Sequence, residues 1–165
     1  MAVKVIGFPN PVDEISARLV AAGVVVLSGA YVVTGWTPLV VVLALGFLAR
    51  VLTGPTLSPL GQLVTRVVRP ALPVEPRPTP GPPKRFAQGI GATLSTAAVV
   101  LALAGAVGAS RGVVAAVTVA ATLESALGFC LGCKVFALLM RWGVIPESVC
   151  AECADLSSRL ARTGT

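Results

Sequence analysis

The sequence contains no histidine, and only 12% of its residues are charged. Without histidine, both the commonest general base near neutral pH and the commonest metal ligand are missing. A Ser-His-Asp or Cys-His catalytic group therefore cannot form within this chain. Aromatic residues are scarce at 5%, so the 55% of apolar residues are mostly small or aliphatic. Thirteen Lys and Arg against seven Asp and Glu leave a net charge of +6. The basic residues are scattered around apolar runs rather than gathered on one face. That distribution reads as membrane orientation and excludes a nucleic-acid surface.

What is present is apolar mass. The mean hydropathy is +0.88, outside the range of soluble domains of this size. A composition dominated by Ala, Val, Leu and Gly suits closely packed membrane helices, where small residues let backbones approach. Four apolar segments stand out, at 15–34, 37–52, 86–109 and 111–140. Each approaches the roughly 20 residues needed to cross about 30 Å of hydrocarbon, the second being somewhat short. Asn10, Asp13 and Glu14 precede the first segment as a helix start, and it reads as a span rather than a cleaved signal peptide. Between the second and third segments lies a Pro-rich insert, 53–85, whose middle ALPVEPRPTPGPPKR suits neither helix nor ladder. Within it, Leu57 to Val68 reads as a short helix along the membrane surface. The expected fold is an all-α integral membrane four-helix bundle, in one domain.

Orientation follows from Lys and Arg. The insert carries Arg66, Arg69, Arg77, Lys84 and Arg85, and the tail 143–165, with the helix end before it, carries Lys134, Arg141, Arg159 and Arg162. The short connections near Gly35 and Ser110 hold almost no charge. The positive-inside rule places both termini and the insert in the cytoplasm of a bacterial inner membrane. After Pro146, the residues Val149, Cys153, Leu156 and Leu160 make one apolar stripe, which predicts a C-terminal interfacial amphipathic helix.

All four cysteines lie in two Cys-x-x-Cys pairs, Cys130/Cys133 and Cys150/Cys153, separated by sixteen residues. If the fourth span runs unbroken from Arg111, the first pair lies roughly 28 to 33 Å along it, at the cytoplasmic edge. Three readings stay open. The spacing fits a four-thiolate zinc site formed by Cys130, Cys133, Cys150 and Cys153. The same four residues fit thiol–disulfide exchange or sulfur relay, with Lys134 or Arg141 favouring a thiolate and a quinone as the membrane-side acceptor. They also fit plain packing by small apolar side chains. On the cytoplasmic side the thiols are expected to be reduced.

Glu124 lies inside the fourth apolar segment, where a carboxylate is expensive and is read as functional by default. Arg50, near the end of the second, falls at a similar depth, so an intramembrane ion pair Arg50–Glu124 is expected, either fixing helix register or serving a solute carrier. On an unbroken helix Glu124 is turned well away from Cys130 and Cys133. Gly128 and Gly132 form a GxxxG, read as a close helix contact.

FPNPVDE (Phe8–Glu14), PPKRFAQGIG (Pro82–Gly91) and ESALGFCLGCKVF (Glu124–Phe136) resemble the bacterial membrane proteins grouped as domain of unknown function 4395. The resemblance spans nearly the whole chain, and GFCLGC is its most specific part. It implies a small multi-span protein, often actinobacterial and commonly encoded near thioredoxin-like or sulfurtransferase proteins, which would be its cytoplasmic partners. The expected function is thiol–disulfide exchange or sulfur relay at the cytoplasmic membrane face. The alternative is a membrane scaffold or transporter subunit held by structural zinc.

Overall fold

A computed structural model of the protein describes residues 8–151 and residue 153. Helices α1 (Glu14–Thr34) and α2 (Thr37–Thr53) follow a two-residue strand β1 (Val12–Asp13). Asp13 starts α1 by accepting hydrogen bonds from the N–H groups of Ile15 and Ser16, two donors that a helix start leaves open. The helix stops at Gly35, whose N–H donates to the Tyr31 carbonyl, and Pro38 lies in the first turn of α2. The insert opens with α3 (Pro59–Leu63), capped by Ser58, and continues in a π-helical turn over Val64–Val68. Its far end forms β2 (Pro78–Thr79), which pairs antiparallel with β1, Val12 opposite Thr79. Then come α4 (Gly81–Leu103), α5 (Val107–Leu127), α6 (Leu131–Arg141) and a 3-10 turn over Glu147–Val149.

Three helices, α1, α4 and α5, are long and apolar enough to cross a membrane; α2, with 17 residues, is apolar but shorter. Sequence neighbours are not the main partners. α1 packs chiefly on α5 and α2 on α4, while α4 also packs on α5, so α4 lies between α2 and α5. The core between them mixes Val24, Leu43, Phe47 and Val117 with small residues such as Ala92 and Ala98. A buried polar chain crosses it. Ser110 Oγ donates to the Ala98 carbonyl at 2.7 Å and meets Tyr31 Oη at 2.6 Å, joining α4, α5 and α1. Such internal partners are what hydrocarbon demands of polar groups. Outward, Val26, Val33, Leu45, Val100, Leu103 and Val119 are each more than half exposed. Large apolar side chains exposed along these helices match a lipid environment rather than water.

Several boundaries differ from the sequence expectation. The Pro-rich stretch, read as neither helix nor ladder, holds β2 and the first turn of α4, which starts at Gly81 rather than 86, and α5 starts at Val107 rather than 111. The third apolar segment ends at Leu103 rather than 109, because Gly105 (φ 83°) makes the turn within an uncharged Ala-Gly-Ala stretch that no polar residue marks. The fourth is not a single helix to residue 140. It breaks at Gly128, which adopts φ 67° and donates its N–H back to the Glu124 carbonyl at 3.0 Å, the left-handed cap that glycine permits. The tail expected to be helical from Pro146 opens as a 3-10 turn over Glu147–Val149, Ala151 and Cys153 are helical, and Leu156, Arg159, Leu160 and Arg162 lie outside the described residues.

Candidate thiol site

The break at Gly128 re-aims the first cysteine pair. Cys130 has extended backbone and is the N-cap of α6, its Sγ accepting the N–H of Cys133 at 3.3 Å. A helix N-terminus carries partial positive charge, which stabilises a thiolate at this sulfur. Cys130 is buried and Cys133 half-buried, so the second sulfur of the pair is the more accessible. Each pair is closed as a disulfide, Cys130–Cys133 and Cys150–Cys153, where reduced thiols were expected. Their Cα separations, 5.2 and 5.3 Å, fall where disulfides form without backbone movement. Cys150 is buried and Cys153 half-buried. Among the described residues no three Cys, Asp or Glu side chains converge so as to hold a metal ion. The four sulfurs are thus arranged as two separate pairs.

α6 holds the pair against α4. At Gly132, a Cβ would lie 2.5 Å from the Ala87 Cβ, so only glycine allows this approach. Phe136 packs edge-on against Phe86, ring centroids 5.6 Å apart, and seals the other end of the contact. The GxxxG motif therefore divides its work: Gly132 is a close contact and Gly128 a helix cap.

Beside Cys130 lies a cavity of about 290 Å³, bordered by Phe47, Gln88, Leu94, Val117 and Glu124. Its walls are mostly apolar, with Gln88 and Glu124 as polar groups. Glu124 and Cys130 thus line one space, contrary to their separation on an unbroken helix; the turn over Gly128–Cys130 is the reason.

Glu124 does not pair with Arg50. Its partner is Lys84, Nζ to Oε1 2.6 Å. The geometry explains the difference. Arg50 lies three residues before the end of α2, Glu124 three before the end of α5, and Lys84 three after the start of α4. Since α4 stands between α2 and α5, its Lys84 and Gln88, one turn apart on one face, intercept the two charges. Arg50 donates instead from Nε to Gln88 Oε1 at 2.9 Å and from Nη1 to Ser58 Oγ at 3.3 Å, with its guanidinium 4.6 Å from the Phe47 ring centre. Lys84 and Gln88 are the residues that sequence reasoning missed. The signal was Pro82-Pro83, which suits a first helical turn and so draws Lys84 into the helix rather than the loop.

At the same end, Asp13 ties α1 to the insert. It accepts hydrogen bonds from Arg69 Nε at 2.6 Å and from the Arg77 N–H at 3.0 Å. Burial alone would raise its carboxyl, but the bonds from Arg69, Ser16 and Arg77 outweigh that and hold it at about 2, below the usual 3.8.

Apolar outward faces and three helices long and apolar enough to span make this a multi-pass helical membrane protein. The family model described as Domain of unknown function (DUF4395) matches residues 12–141, and the chain belongs to that family. The match takes in Cys130 and Cys133 and stops before Cys150 and Cys153. No curated protein and no solved structure matches the chain.

Proposed function

We propose that this protein is a membrane thiol–disulfide exchange protein, moving electrons from a cytoplasmic dithiol protein to a quinone. In this reading α2 is a fourth span and both termini are cytoplasmic, so the insert, Arg50, Lys84 and the Cys130–Cys133 pair share the inner face. The observation that carries the reading is Cys130 as the N-cap of α6, beside a largely apolar cavity.

A thiolate of the soluble partner attacks one sulfur of Cys150–Cys153. A mixed disulfide forms, the internal bond breaks and the second sulfur leaves. The partner's second thiol resolves it, so the partner is oxidised and the tail pair gains two electrons and two protons. One tail thiolate then attacks the accessible Cys133 Sγ, and Cys130 leaves as a thiolate stabilised at the α6 N-terminus. The second tail thiol displaces Cys133 from the mixed disulfide, which closes the tail disulfide again. The reduced Cys130/Cys133 pair passes two electrons and two protons to the quinone, giving quinol and closing the disulfide again. The cavity bordered by Glu124 and Gln88 is the place for the quinone ring. The two-pair arrangement favours this chemistry over a single zinc site shared by all four cysteines.

The test is anaerobic. Protein reduced in lipid nanodiscs is expected to lose two thiols at the first pair for each short-chain quinone reduced, and Cys130→Ser to abolish quinol formation. Thiols that stay reduced under quinone, or an unchanged rate in Cys130→Ser, would overturn the reading.

A further inference from the structure

Two carboxylates at the inner end of the molecule, Glu124 and Asp13, are each bridged to a cation, whereas the buried Arg50 is bridged to no carboxylate among the described residues. Glu124 is held by Lys84 and Asp13 by Arg69. Arg50 is only 5% exposed, and its Nη2 has no hydrogen-bond partner among the described residues. Arginine keeps its proton when buried, so the positive charge stays; Glu124 acts on it from a distance but is bridged to Lys84, so this one carboxylate balances only one of the two cations. The three helix-borne charges Arg50, Lys84 and Glu124 sum to +1.

Next to this surplus is space. A cavity of about 180 Å³ lies between α1, α2, α4 and the insert, bordered by Arg50, Lys84, Gln88, Ser16, Thr65 and Asp13. Cavities near 150 Å³ hold a ring as large as benzene, so an anion of a few heavy atoms fits here. Asp13 does not repel it strongly, because its carboxylate is occupied by Arg69, Ser16 and the Arg77 N–H. The cavity is separate from the one beside Cys130, and Gln88 borders both.

We infer that this cavity is a binding site for one small, singly charged oxyanion, a carboxylate or phosphate group, recognised by the Arg50 guanidinium with Lys84 beside it. The planar guanidinium fork matches the geometry of such groups better than that of a spherical ion. The group arrives either on a free solute or on a lipid headgroup. This inference does not depend on the cysteine chemistry.

The full-length protein in nanodiscs of phosphatidylcholine would be titrated with acetate and with inorganic phosphate, chloride holding ionic strength constant, while thermal unfolding is followed. A saturable rise in Tm with one anion supports a free solute. A rise only when phosphatidylglycerol is built into the discs supports a headgroup. In either case Arg50→Gln is expected to weaken the response about tenfold or more, the size of a lost charged hydrogen bond. Ala17→Phe, which fills the cavity while leaving Arg50 in place, should abolish it and keeps the test valid if Arg50→Gln does not fold. No response to any of the three, or a response untouched by Ala17→Phe, would overturn the site.

Discussion

Lys84 and Glu124 show how much one buried residue depends on another. Their side chains are 9% and 14% exposed, at a depth where neither charge is well solvated. Glu124→Gln would strand the Lys84 ammonium, and a loss of about 3–5 kcal/mol is expected, measured by unfolding in detergent. Replacing both, Lys84→Met with Glu124→Leu, should restore most of that stability, since the destabilisation lies in the orphaned charge and not in the missing attraction. Asp13 acts at the helix start instead. Its folded carboxyl sits near 2 against 3.8 when free, so its contribution is complete above pH 3.8 and disappears as pH falls toward 2. Asp13→Asn should therefore be less stable than the parent at pH 6, by about 1 kcal/mol, and converge with it near pH 2. That Glu124 would need a buried cation was legible in the sequence. Which cation it takes was not, because α4 intervenes between α2 and α5, and helix order is a tertiary fact.

At the scale of elements, α6 is the piece that positions the thiols, and its docking rests on one missing side chain. Gly132→Val would drive a branched side chain into Ala87 and push α6 off α4. Faster amide exchange in α6 and faster alkylation of reduced Cys130 are the expected readouts, with α1 and α5 unchanged. The long apolar helices were legible from composition, as were the start at Asp13 and the turn at Gly35, since both carry capping residues. The turn at Gly105 and the break at Gly128 were not. Each is a single glycine inside an apolar run, and hydropathy alone does not distinguish a helix that continues from one that stops and restarts. The break matters more, because it turns Cys130 from a mid-helix residue into a cap and brings Glu124 to the same cavity.

For the whole molecule, the principal contacts cross between the α1–α2 half and the α4–α5 half: α1 on α5, α2 on α4. The β1–β2 clasp and the Asp13–Arg69 bridge fasten the start of α1 to the two ends of the segment from Arg69 to Thr79. Between those fastenings, residues 71–76 are exposed. The chain there joins parts already joined by other means, so continuity of the backbone is dispensable at that point. Severed between Pro73 and Val74 and expressed as two polypeptides, the protein is expected to reassemble and copurify. Either polypeptide made alone lacks its main packing surface and should be degraded. In effect the gene encodes two complementary hairpins that happen to be translated as one.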